Sequence, residues 1–110
     1  MLKQAKPEEI EKLRAKDGQE YDMINITALR PGKIIKVETY SGNTYLYELI
    51  DPGQALAHVF RCKTREDNAE NAGYRGKKTV NPTFQIGKRI FHKEGDEQSN
   101  TSPVKRIVIF

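Results

Sequence analysis

From residue 31 onward the apolar residues of this chain recur at every second position, the period of a half-buried β-strand. Pro31-Gly32 turns the chain into Lys33–Tyr40, and a second run, Thr44–Ile50, follows the polar Ser41-Gly42-Asn43. A three-residue loop over 41–43 predicts a hairpin with Ile35 opposite Leu49, Val37 opposite Tyr47 and Thr39 opposite Tyr45. That register gathers the core side chains on one face and sets Lys36 against Glu48 on the other. Such a loop needs a residue at positive φ, which Gly42 or Asn43 can supply.

Asp51-Pro52-Gly53 predicts a turn, and Ala55–Lys63 a third strand with Leu56, His58, Phe60 and Cys62 on one side. Residues 64–78 lose all periodicity and predict a long polar, then basic, loop. Thr79–Phe84 predicts a short strand that Pro82 demotes to an edge or an irregular link. Gly87–Lys93 reads as a fourth strand, Glu94–Ser102 as a polar loop and Pro103–Phe110 as a final strand. Its last four residues, Ile107-Val108-Ile109-Phe110, are all apolar and must be buried, so this strand is expected inside the sheet. About five short strands separated by turn signals predict a mostly-β domain over residues 21–110. The expected architecture is a small antiparallel barrel, SH3-like or OB-like, or a strongly curved sheet.

The first 20 residues have a different texture. Pro7–Lys16 predicts a short helix, with Pro at a first helical position, Glu8, Glu9 and Glu11 in the first turn and Lys12, Arg14 and Lys16 toward its end, as the macrodipole prefers. Asp17-Gly18 stops it. Ile10 and Leu13 form a thin apolar face, so the helix needs docking to be stable.

Composition narrows the class. A chain of 110 residues has room for one modest core and no repeat array. No run approaches the roughly 18 apolar residues of a membrane span, and the N-terminus has no signal-peptide stretch. One Cys cannot form an internal bridge, which fits a reducing, cytoplasmic setting and gives little weight to the Asn-x-Ser/Thr triplets at Asn25 and Asn100.

Charge changes the picture more. The net charge of +4 is carried by residues 71–93, which hold six bases (Arg75, Lys77, Lys78, Lys88, Arg89, Lys93) and no acid. Within this segment Gly73-Tyr74-Arg75-Gly76-Lys77-Lys78-Thr79 combines glycines that let backbone approach a phosphate, bases that neutralise it and a tyrosine on which a base can stack. The glycine spacing is two residues short of a P-loop, and Val80-Asn81-Pro82 follows instead of a helix, so the nucleotide cradle is missing. Gly73-x-x-Gly76 also matches the clamp loop of KH modules, but that loop joins two helices. By alternation Arg89 and Lys93 share a strand face. The expected nucleic-acid-binding residues are therefore Tyr74, Arg75, Lys77, Lys78, Lys88, Arg89 and Lys93.

Other chemistry is not legible. His58 and Cys62 share a face, but four residues along a strand separate them by ~13 Å, too far for one metal ion or for a nucleophile pair. The three serines lack a nucleophile-elbow pattern, and the carboxylates cluster in polar stretches where pKa tuning has no apolar setting. No enzyme, metal or cofactor is expected. The Gly-Lys-preceded alternation, Ser41-Gly42 and Thr44–Asp51 loosely resemble the first half of an Sm-like RNA-binding barrel, over less than a fifth of the chain. Tyr47 stands where that family bends its strand with a glycine, and the closing Ile-Arg-Gly element is absent, so no family is assigned. The sequence leads to a non-enzymatic module binding RNA, single-stranded DNA or another polyanion. The alternative is a protein-interaction or assembly module using the 64–78 loop or the 79–84 edge.

Overall fold

The computed structural model describes residues 19–62 and 73–110. They form ten β-strands: β1 Gln19–Tyr21, β2 Met23–Asn25, β3 Ile34–Thr39, β4 Thr44–Asp51, β5 Leu56–Cys62, β6 Gly73–Val80, β7 Thr83–Gln85, β8 Phe91–Glu94, β9 Glu97–Asn100 and β10 Val104–Ile109. Eight of them make one antiparallel sheet in the order β1-β10-β3-β4-β5-β6-β8-β9, and β2 pairs separately with β7. The end strands β1 and β9 do not pair with each other. The mostly-β expectation holds, but an open eight-stranded sheet replaces the barrel of about five strands. The expected helix over Pro7–Lys16 and loop residues 64–72 lie outside the described residues.

The β3–β4 hairpin forms with the expected side chains inward. Ile35, Val37 and Tyr47 are 0% exposed and Leu49 is 1%. Its register differs by two residues, with Ile35 opposite Tyr47, Val37 opposite Tyr45 and Lys36 opposite Leu46. The turn explains this. Gly42, at φ +90°, occupies the last loop position, so the loop is Tyr40-Ser41-Gly42 and Thr39 N–H bonds to the Asn43 carbonyl at 2.9 Å. A shift of two leaves every side chain on its intended face.

Four further corrections concern the strand assignments. Gly73–Lys78, expected as loop, belongs to β6 and pairs along β5. Glu94–Ser102, also expected as loop, holds β9, which is closed onto β8 by Gly95-Asp96 with Gly95 at φ +60°. The expected strand Gly87–Lys93 is shortened to Phe91–Glu94, because Gly87 at φ +84° ends the preceding run in a turn. Thr79–Phe84 splits at Asn81-Pro82 into the ends of β6 and β7, and the Pro82 carbonyl accepts from Ile26 N–H at 2.8 Å. The last strand, β10, lies inside the sheet between β1 and β3, as expected.

One face of the sheet carries the main core. Ile35, Val37, Tyr47, Leu49, Ala57, Val59, Val80, Val104 and Ile107 pack there against Ile24, Ile26, Phe84 and Ile90, which come from β2, β7 and their neighbouring turns. Tyr47 is the centre of this layer. Its ring meets Phe84 edge-on at 5.0 Å, and its hydroxyl is hydrogen-bonded to His92 Nε2 at 2.7 Å. The opposite face bears a second, smaller cluster of Leu46, Phe60 and Cys62, with Ile34 against it.

Candidate nucleic-acid interface

The site is built by β6 and by one irregularity in it. From Leu56 to Val59 the pairing with β5 is regular, but Val59 opposes Gly76 while Phe60 opposes Tyr74. Arg75 is the extra residue of a β-bulge, and Gly76 adopts φ +112°, a conformation that glycine tolerates best. A flat strand would send Tyr74 and Lys77, three residues apart, to opposite faces. The bulge instead sets Tyr74 across from Phe60 and Lys77 across from His58, both on the face opposite the main core. Lys93, across from Thr79, joins them there.

Tyr74 has a prepared seat. Its ring lies 5.0 Å from Phe60 and 5.7 Å from His58, and its hydroxyl is 2.9 Å from His58 Nδ1. It remains 44% exposed, so one flank is fixed while the other faces water. Desolvation, with Lys77 adding its positive charge, holds the His58 imidazole below its usual pKa. His58 is therefore neutral at physiological pH and positions the tyrosine without contributing charge.

The seven expected site residues divide into three groups. Tyr74, Lys77 and Lys93 share one face, with exposed Arg75 at the bulge beside them. Lys78 points to the other face, where its Nζ meets Glu94 Oε1 at 2.9 Å. A Cβ at Gly76 would stand 2.7 Å from Glu94 Oε1, so a side chain there would displace the end of this carboxylate. Lys88 and Arg89 sit in the turn after Gly87, where Arg89 Nη1 donates to the Thr101 carbonyl at 3.2 Å. Arg89 and Lys93 do not share one strand, as their alternation suggested.

His58 and Phe60 were not expected here. Alternation places them on one face of β5, but their role emerges only when 73–78 pairs with β5, and the glycines and charges of that stretch disguise it as loop. Among the described residues no group of three His, Cys, Asp or Glu side chains is placed to hold a metal ion, and no helix is long and apolar enough to cross a membrane. No known protein family, curated protein or solved structure matches the chain.

Proposed function

We propose that the protein is a non-enzymatic binding module for single-stranded nucleic acid, RNA or DNA, and that Tyr74, Lys77, Lys93 and Arg75 form the contact surface. The observation that carries this reading is the β6 bulge, which brings a braced, half-exposed aromatic and two exposed ammonium groups to one side of the sheet. An aromatic face for a base beside cations for the backbone is the recurring arrangement of sequence-tolerant single-strand binders. Glu48, across from His58 on the same face, gives the positive surface a boundary toward β4.

The test is a fluorescence-anisotropy titration with short RNA and DNA oligonucleotides from low to physiological salt. Tyr74→Ala lowers affinity by ~1–3 kcal/mol and leaves the salt slope unchanged, because stacking releases no counterions. Absence of binding at the lowest salt removes this reading.

A protein-interaction module is the second reading, and the edge strand β9 favours it. Glu97–Asn100 are all exposed and, among the described strands, pair with β8 alone, so a strand from a partner can add to the far side. Within the 79–84 stretch Thr79 is paired with both Leu56 and Lys93, whereas Thr83 and Phe84 in β7 pair with β2 alone among the described strands. Binding that persists at high salt, and is lost when Pro replaces Ser99, would be the mark of this second mode.

A further inference from the structure

The face that carries Tyr74 continues beyond Lys93. Val80 and His92 pair across β6 and β8, and both are buried toward the main core, where the Tyr47 hydroxyl holds His92. By alternation their neighbours Thr79, Phe91 and Lys93 stand on the opposite face, with Gln98 across from Lys93 and Asn100 across from Phe91 on β9. No acid joins them on that side of β6, β8 and β9, because Glu94 and Glu97 oppose each other on the core-facing side. Phe91 is the one aromatic among these neighbours. It is partly exposed and joins neither hydrophobic cluster of the described residues. Its backbone is fixed, since its N–H donates to Asn81 Oδ1 at 2.6 Å.

We propose that Tyr74 and Phe91 are the two ends of one track for about four nucleotides of a single strand, each ring stacking on a base, with Lys77 and Lys93 on the phosphates between them. The β5 ladder measures the first part of the track, since Phe60 and Leu56, opposite Tyr74 and Thr79, are four residues apart. Two more residues along β6 reach Asn81, which Phe91 N–H contacts, for a length of roughly 20 Å at about 3.3 Å per residue. Site sizes of single-strand binders begin at about four nucleotides, and four contacts in line (ring, ammonium, ammonium, ring) match that lower end. The inference rests on the nucleic-acid reading and extends its site along β6 to a second aromatic.

Oligothymidylates of two to eight nucleotides, titrated into the full-length protein at low salt, test the track. Affinity should climb steeply up to four nucleotides and little beyond. Phe91→Leu keeps an apolar side chain without the ring, and it should weaken binding of the tetramer by about fivefold or more. Phe91→Tyr should bind it like the wild type. A second measurement needs no variant. In the wild-type protein the tetramer should shift the amide signals of Phe91, Lys93 and Asn100 together with those of Tyr74 and Lys77. Wild-type affinity in Phe91→Leu, or shifts confined to Tyr74 and Lys77, overturns the track and leaves Tyr74 as a binding site. Absence of binding by every oligonucleotide overturns the track and the nucleic-acid reading together.

Discussion

Tyr47 and His92 form a buried polar pair inside an otherwise apolar layer, with Tyr45 and Phe84 against their rings. Burial, with Lys78 adding to it, lowers the His92 pKa to about 4 from an ordinary value near 6.5, and burial raises that of Tyr47. The consequence for stability has a definite sign. Above pH 6.5 the imidazole is neutral in both states and the pair contributes in full. Between 6.5 and about 4 the unfolded chain takes up a proton that the native state refuses, so stability falls as pH falls; below that range the loss is complete. Its size is on the order of 3 kcal/mol. Urea melts at pH 7 and pH 4 should therefore show a larger acid loss for the wild type than for His92→Gln, by about that amount. Equal losses would place the proton elsewhere. Gly76 supplies a second prediction at this scale. Gly76→Ala combines a strained φ with a Cβ 2.7 Å from Glu94 Oε1. It should cost about 1–3 kcal/mol, chiefly through the positive φ, measurable by thermal melting.

Among elements, β10 is an interior strand whose loss has a definite consequence. It joins β1 to β3, and Ile107 and Val108 are 0% and 3% exposed. A chain ending at Arg106 loses half the strand and the closure of the main core, and its cooperative melt should disappear. Edge strand β9 is the opposite case, all four residues exposed, and Gln98→Ala should stay within about 0.5 kcal/mol. The same contrast explains what the sequence revealed. Strands β3, β4, β5 and β10 bury one face or two and therefore carry apolar residues that are visible in the sequence, Ile107 and Val108 among them. Strands β6 and β9 have no such signature. In Gly73–Lys78 both faces are largely exposed and in Glu97–Asn100 both are fully exposed, so hydrogen bonding to a neighbour, rather than burial, makes them strands. Their pairing is a property of the assembled sheet that no local window records. The site suffers from the same blindness: its bases and Tyr74 were visible as a composition, whereas the faces to which they point depend on one bulge.

At the scale of the molecule, the fold sorts a uniform run of positive charge. Of the six bases between residues 71 and 93, Lys77 and Lys93 share a face with Tyr74, Lys78 is tied to Glu94 on the other side, and Arg89 is bound to the Thr101 carbonyl. Simple attraction of a basic segment to phosphate would make these residues interchangeable; a built surface would not. The decisive measurement compares two double variants in the oligonucleotide titration across salt. Lys77→Gln/Lys93→Gln should flatten the slope of log affinity against log salt by about 1.4, at roughly 0.7 per phosphate contact on a single strand, and Lys78→Gln/Arg89→Gln should leave it unchanged. Equal flattening by the two pairs, or flattening by the second alone, would contradict the assignment of binding to the Tyr74 face.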